Sequence, residues 1–167
     1  MFQGNEVSLI LEEQARSRVL TAVETHVPVV NSYNEWDPLE EVIVGIADGA
    51  HVPSWHVSLK ATMPEDQHEY FRRFGGTQFP KDEVDAANKD LDKFVHILQA
   101  EGVTVRRPDV LDHSRPYSTP EWNSRSGIYA AMPRDVMLII GDEIIEAPMA
   151  WRQRYFEITA YRSLIKE

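Results

Sequence analysis

Asp135 is the residue whose position in this sequence most clearly offers chemistry. It follows Met132-Pro133-Arg134, which is typical of a turn, and it directly precedes the apolar run 136–140. A carboxylate beside such a run is costly to bury without a partner. Two interpretations are open. Either Arg134 and nearby backbone amides satisfy Asp135 as a cap or an ion pair, or the carboxylate binds a cationic ligand.

The residues around Asp135 predict a β-hairpin that would hold it in place. Residues 136–140 are all strand formers, and Gly141-Asp142 is typical of a two-residue hairpin turn. Ile144-Ile145 supply the second strand, and Pro148 ends it. Because the first run is uniformly apolar, it predicts burial on both faces. An alternative partner for Arg134 is Glu146, across the hairpin.

The middle of the chain predicts an α/β unit. A strand at 40–44 ends at Gly45, a short helix covers 65–74, and a longer helix starts at Asp82 and ends before Gly102. The longer helix has one apolar face, and a strand at 103–105 follows directly. The order strand, helix, strand is typical of α/β folds. Residues 109–126, with scattered Pro and Ser, predict a loop of the length that often carries function.

Both ends of the chain predict amphipathic helices. Residues 1–27 form a separate N-terminal arm, with a helix that Ser8 would cap, and residues 28–167 form the folded domain. From Ala150 onward, aromatic and aliphatic residues recur at helical spacing up to Glu167 without a helix stop signal. We therefore expect the chain to be the N-terminal piece of a longer protein.

Composition and charge exclude several functions. The formal net charge of −10 disfavours binding to nucleic acid, and no run of apolar residues is long enough for a transmembrane helix. The sequence contains no Cys, which excludes disulfides and thiol nucleophiles and fits a cytoplasmic location. His51 and His56 lie five residues apart without a cluster of further ligands, so we expect no metal site. No glycine-rich phosphate loop is present, so we expect no cofactor.

Several longer segments in order resemble one family of enzymes. These segments are NSYNEWDPLEEVIVG from Asn31, FPKD from Phe79, EGVTVRRPD from Glu101 and GIYAAMPRDVMLIIGDEIIEAPMAWR from Gly127. Together they resemble the arginine:glycine amidinotransferase family. The resemblance implies an α/β fold, part of a pseudo-fivefold α/β propeller with mixed sheets and helices. It also implies transfer of an amidino group from arginine to an amine acceptor, in a full-length protein that is a homodimer.

The same resemblance assigns roles to particular residues. In the family, the nucleophile is a Cys that works with a His and further Asp residues, all expected downstream of this sequence. The residue that matches within this chain is Asp135, which would grip the substrate guanidinium. Tyr129 and Arg134 lie close enough in sequence to shape the same pocket. The resemblance thus predicts substrate binding here and no catalytic residue.

The lack of Cys leaves a second function open. A chain with this scaffold and no nucleophile could bind a guanidino compound, or a protein partner, without catalysis. A role as a small interaction domain that merely keeps the scaffold is a third hypothesis. Binding of arginine by the purified chain would separate the second hypothesis from the third.

Overall fold

The computed structural model describes residues 29–166, so the predicted N-terminal arm at 1–27 lies outside the described residues. Three two-stranded sheets and several helices make up this part of the chain. The strands are β1 Glu41–Ile43, β2 Thr104–Arg106, β3 Tyr117–Ser118, β4 Asn123–Ser124, β5 Met137–Ile140 and β6 Glu143–Glu146. The α-helices are α1 Val57–Thr62, α2 His68–Phe74, α3 Lys81–Ala100, α4 Pro133–Val136 and α5 Arg162–Ile165. Short 3-10 helices span Glu65–Gln67, Arg152–Arg154 and Glu157–Tyr161.

The predicted strand–helix–strand unit is present. Strands β1 and β2 pair in parallel, with Val42 opposite Val105, and α3 lies between them in the chain and packs on β2. Gly102, at φ 85°, lets the chain reverse after α3 at no steric cost. The α/β class inferred from the sequence is therefore confirmed.

Helix α3 is covered on one side only. Its predicted apolar face is partly buried in the structure, but no residue of the helix is fully buried. Phe94, which the pattern places on that face, is half exposed. Ion pairs such as Lys81 with Asp85 lie on the outer surface.

The main hydrophobic core lies where the hairpin meets the C-terminal segment. Its buried members are Ile46, Ala130, Val136, Met137, Ile158, Ala160 and Tyr161. The Tyr161 hydroxyl donates to the carbonyl of Ala130 at 2.9 Å, so the one polar atom of this side chain is satisfied. Gly45 passes so close to Ala131 that a β-carbon would lie 2.3 Å from its carbonyl oxygen. This close approach allows Ile46 to pair with Ala130.

A second core joins the early helices to the C-terminal segment. Val52, Leu59 and Phe71 are buried together, and Trp151 packs against them. The indole nitrogen of Trp151 donates to the hydroxyl of Thr62 at 3.0 Å. Residues 151–161 therefore contact both cores, which fixes their position relative to the hairpin.

The hairpin forms with the predicted two-residue turn, but its predicted burial is wrong. Gly141 supplies the turn at φ 61°, and Leu138 pairs with Ile145. Met137 and Ile144 pack on the core, whereas Leu138 and Ile140 are 53% and 55% exposed. Successive strand residues face opposite sides, and among residues 29–166 only one side of this ribbon meets a core.

The C-terminal segment is also more irregular than its sequence predicts. The amphipathic pattern from Ala150 predicts one helix, but the chain forms two 3-10 helices before the short α5. Ile158 and Tyr161 are buried as the pattern requires, while Tyr155 and Phe156 stay partly exposed. Contacts with two separate cores override the regular helical period here.

Candidate functional site

Asp135 lies on α4, a single helical turn that is anchored by burial. Pro133 occupies the first turn, where its missing N–H costs nothing, and the Asp135 N–H donates to the Met132 carbonyl at 3.1 Å. The next residue, Val136, is fully buried in the main core. This fixes the backbone and leaves the Asp135 side chain at the surface, 47% exposed.

The partner of Asp135 is Arg154, which the sequence did not indicate. Nη1 of Arg154 donates to Oδ2 of Asp135 at 2.7 Å. Arg134, the partner considered from the sequence, is exposed and forms no ion pair among residues 29–166. The bond to Arg154 forms because the 3-10 helix Glu157–Tyr161, which follows Arg154 in the chain, packs against α4.

Arg154 is itself held by Glu157. Its Nε donates to Oε2 at 2.6 Å and its Nη2 donates to Oε1 at 2.9 Å, which is a bidentate arrangement. The side chains are only 10% and 2% exposed. We name Asp135, Arg154 and Glu157 the carboxylate cluster. Because Glu157 fixes the guanidinium plane, Arg154 reaches Asp135 in one defined orientation.

Burial and charge shift the pKa values of this cluster. Burial alone would lower the pKa of Arg154, but the bonds to Glu157 and Asp135 and the charge of Glu157 together raise it above its ordinary value. Burial raises the pKa of Glu157, and the hydrogen bonds and charge of Arg154 oppose this rise. Arg154 therefore remains charged and acts as a permanent cation between two carboxyl groups.

Tyr129 lies beneath the cluster. The Arg154 guanidinium carbon is 5.4 Å from the centre of its ring, which is within cation–π range. Burial, more than any other cause, raises the pKa of Tyr129, so its hydroxyl keeps its proton at neutral pH. The sequence placed Tyr129 near Asp135, and the structure brings both residues to the same arginine.

Arg134 does not join the cluster. The alternative that it pairs with Glu146 across the hairpin is wrong, because Arg162 donates to Glu146 at 2.6 Å. Arg162 reaches Glu146 from α5, a contact between elements that a local pattern does not predict. Of the three predicted site residues, the structure thus brings together Asp135 and Tyr129.

Histidines do not form a metal site in the described part of the chain. No group of three or more His, Cys, Asp or Glu side chains within residues 29–166 has suitable geometry. Nδ1 of His51 contacts the carbonyl of Gly49 at 2.6 Å, and Nδ1 of His56 accepts from the N–H of Ser58 at 3.3 Å. Each of these side chains is engaged in local structure.

The carboxylate cluster has one oxygen to offer a ligand. Within residues 29–166, Oδ1 of Asp135 has no hydrogen-bond partner, whereas Oδ2 is held by Arg154. A half-exposed, oriented carboxylate oxygen suits an N–H donor of a planar cation. The arrangement can orient such a cation, but it contains no nucleophile, because the sequence has no Cys.

Arg154 and Glu157 are the site residues that sequence reasoning missed. They are three residues apart, a spacing at which opposite charges meet on a helical turn. The aromatic residues around them recur at helical spacing, which indicates packing and not a charged site. The spacing marks the pair, but its contact with Asp135, 19 residues away, depends on the fold.

The chain is similar to curated proteins with one activity. It is 53% identical over 138 residues to the L-arginine:L-lysine amidinotransferase of Pseudomonas savastanoi pv. phaseolicola. It is 54% identical over 138 residues to the mitochondrial glycine amidinotransferase of Gallus gallus. Both matches cover 83% of this chain. By sequence, this chain is a relative of the amidinotransferases.

Solved structures agree with this relationship. An amidinotransferase of the saxitoxin biosynthetic pathway from Microseira wollei matches 82% of the chain, with a TM-score of 0.76 and 52% identity. The inosamine-phosphate amidinotransferase of Streptomyces griseus matches 83%, with a TM-score of 0.76 and 40% identity. The amidinotransferase fold expected from the sequence is therefore confirmed for this part of the chain.

The chain is much shorter than these relatives. It spans 38% of the Pseudomonas protein and 32% of the chicken protein. It covers 39% and 40% of the two solved chains. No protein-family model matches the sequence. None of the helices in residues 29–166 combines the length and apolarity that crossing a bilayer requires.

Proposed function

We propose that this chain supplies the guanidinium-holding carboxylate of an amidinotransferase, which moves an amidino group from arginine to an amine acceptor. The observation that supports the proposal is the geometry of Asp135. One of its oxygens is held at 2.7 Å by Arg154, and the other has no hydrogen-bond partner among the described residues. Relatives named as amidinotransferases share about half of the sequence over the matched region.

The chemistry of amidino transfer explains why such a carboxylate is needed. The guanidinium carbon is a poor electrophile because its positive charge is spread over three nitrogens. A carboxylate that accepts N–H bonds fixes the orientation of the guanidinium plane and favours charge on the nitrogens it contacts. In our proposal, Oδ1 of Asp135 accepts an N–H of arginine while Arg154 prevents the carboxylate from rotating.

The remaining steps need groups that these 167 residues lack. A thiolate attacks the guanidinium carbon, ornithine leaves as its amine is protonated, and the acceptor amine then displaces the thiolate. The sequence has no Cys. We therefore propose that the nucleophile belongs to the remainder of a full-length enzyme, and that the isolated chain binds arginine without releasing ornithine.

Calorimetric titration of L-arginine into the purified 167-residue chain tests the binding role. Asp135→Asn should weaken binding by about tenfold or more, because it removes a charge-assisted hydrogen bond. Asp85→Asn is the matched control, since Asp85 is an exposed aspartate paired with Lys81 on α3. Equal affinities for wild type, Asp135→Asn and Asp85→Asn would contradict the assignment of Asp135.

A second function is favoured by the lack of Cys. The chain could act as a non-catalytic domain that binds a guanidino compound or a protein partner. An ornithine assay on the chain mixed with an amine acceptor separates catalysis from binding. Ornithine release by the pure chain would contradict both functions, because neither provides a nucleophile within these residues.

The proposal also covers the acceptor, the assembly and the location of the full-length protein. The two curated relatives are named for lysine and glycine chemistry, so we propose an amine of this general class as acceptor. We also propose that the full-length form is a homodimer and that it is cytoplasmic, although the chicken relative is named as mitochondrial. Light scattering and cell fractionation of the full-length protein test these two points.

A further inference from the structure

A cavity that differs in its chemistry from the carboxylate cluster is lined by arginines. Its volume is about 310 Å³, and it lies between the segment 54–56, helix α2, strand β4 and the 3-10 helix Arg152–Arg154. Its lining includes Ser54, His56, Arg72, Arg125, Arg152 and Gln153. We name it the arginine pocket. Among residues 29–166, no acidic side chain lines it, although the chain has a net charge of −10.

The arginines of this pocket have few carboxylate partners. Within residues 29–166, neither Arg125 nor Arg152 forms an ion pair. Arg72 has Glu69 at 3.8 Å, a long contact between two exposed side chains. Positive charges that share a cavity repel one another, and an anion between them removes this repulsion.

Indole rings hold two of these arginines in place. The guanidinium carbon of Arg72 lies 4.5 Å from the centre of Trp55, and that of Arg152 lies 5.5 Å from the centre of Trp122. Trp55 in turn packs edge-on against the buried His68 at 4.9 Å. Stacking fixes a guanidinium through its face and leaves its N–H groups, which lie in the plane, available to an acceptor.

Neutral polar groups complete the lining. The hydroxyl of Ser54 is buried and has no hydrogen-bond partner among the described residues. Gln153 is buried, and its side-chain amide donates to the Ser54 carbonyl at 2.8 Å, which fixes the wall next to that hydroxyl. At His56, Nδ1 accepts from Ser58, so the neutral ring carries its proton on Nε2 and is a further donor.

We propose that the arginine pocket binds a small oxyanion, a phosphate or carboxylate group of a low-molecular-weight ligand. Planar guanidinium groups match both oxyanions with paired N–H donors, and Nε2 of His56 supplies another. The volume suits a small metabolite and not a large cofactor. The site is independent of the proposed amidino transfer, since it would repel the cationic guanidinium that Asp135 attracts.

Calorimetric titrations of inorganic phosphate and citrate into the purified chain, at low ionic strength, test this site. The pocket variant is Arg72→Gln/Arg125→Gln/Arg152→Gln. The control variant is Lys60→Gln/Arg73→Gln/Lys89→Gln, which changes the net charge equally at exposed positions outside the pocket. The pocket variant should lose at least about tenfold in affinity, and the control should stay within about twofold of wild type.

A single variant keeps the test informative if the triple variant does not fold. Arg125 is exposed and stacks on no ring in the described part of the chain, so Arg125→Gln should keep the fold and still weaken anion binding severalfold. Tighter binding of phosphate than of citrate identifies a phosphorylated ligand, and the reverse order identifies a polycarboxylate. Failure of both anions to bind at millimolar concentration, or equal weakening by the pocket and control variants, would overturn the proposal.

Discussion

Arg152 and Arg154 lie two residues apart on one 3-10 helix, yet the protein holds them in opposite ways. Arg154 is enclosed by Glu157 and Asp135, and the donors it shares with them are used within the protein. Arg152 stacks on Trp122 and has no carboxylate partner in the described part of the chain. An arginine whose donors are satisfied positions its neighbours, whereas one that is stacked keeps donors for a ligand.

The carboxylate cluster and the arginine pocket, to which these two arginines belong, suit ligands of opposite charge. The carboxylate cluster presents a free oxygen of Asp135 and suits a cation. The arginine pocket presents N–H donors and suits an anion. Two sites of opposite preference on one short helix would let the chain recognise ligands of different charge without much overlap in specificity.

The largest expected effect comes from breaking the buried pair. Arg154→Met should lower the free energy of unfolding by about 3–5 kcal/mol, because Glu157 would stay buried without a countercharge. Urea denaturation measures this change. Arg162→Met is the control, because the pair of Arg162 with Glu146 is exposed, and its loss should cost at most about 1 kcal/mol. Equal losses in the two variants would show that the cluster is not a buried ion-pair network.

His113 differs from both arginines, because it is a buried titratable side chain with an unsatisfied ring nitrogen in the described part of the chain. Burial, followed by the charge of His51, lowers the pKa of His113, and its Nε2 has no hydrogen bond in the described residues. As the pH falls, the unfolded chain therefore binds a proton at His113 first, at about pH 6.5. The contribution of neutral His113 to the free energy of unfolding should thus be fully present above that pH and decrease below it. The slope due to His113 should not exceed about 1.4 kcal/mol per pH unit.

Thermal unfolding between pH 7.5 and 5.5 measures this slope. In His113→Asn, the slope should be shallower, because the proton-binding difference at this position disappears. His96→Asn serves as control, since His96 is exposed on α3. A slope that is unchanged in His113→Asn, or reduced equally in the control, would contradict the linkage to His113.

Asp135 should be the replaceable member of the carboxylate cluster. Because its side chain is 47% exposed, Asp135→Asn should lower the free energy of unfolding by less than about 1 kcal/mol. The same variant should lose arginine binding, which separates a ligand role from a structural one. A stability loss as large as that of Arg154→Met would mean that Asp135 serves the fold.

The smallest expected effect concerns the electrostatics of the arginine pocket. Burial lowers the pKa of His56, and the charge of Arg152 lowers it further. Arg152→Gln should therefore raise this pKa part of the way toward its ordinary value, with little change in stability. Proton NMR of the imidazole measures it. A pKa that does not move would place the Arg152 charge too far from His56 to share a ligand with it.

Local pattern was enough to predict the hairpin and the parallel unit. The strand formers around Gly141 specified the turn and the register, and the spacing of apolar residues specified α3 to within about one residue at its start. These features depend on neighbours in sequence. The exposure of Leu138 could not be predicted in the same way, because it depends on which face of the ribbon meets the core.

The candidate site was predicted only in part, for a physical reason. Asp135 was assigned through the resemblance to known enzymes, and Tyr129 was proposed because it lies close in sequence. Both residues contact Arg154. Arg154 itself was missed because its contact with Asp135 depends on how the segment 151–161 packs against two cores. Arg134 was proposed from proximity in sequence, but its side chain is exposed on α4.

Residue-resolved NMR during titration with L-arginine tests the central claim most directly. If the free oxygen of Asp135 receives the guanidinium, saturable shifts should appear at the Asp135 amide, the Tyr129 ring and the Arg154 Nε. All three should vanish in Asp135→Asn while the rest of the spectrum is retained. Saturable shifts that persist in Asp135→Asn, or that are confined to residues outside this cluster, would contradict the account.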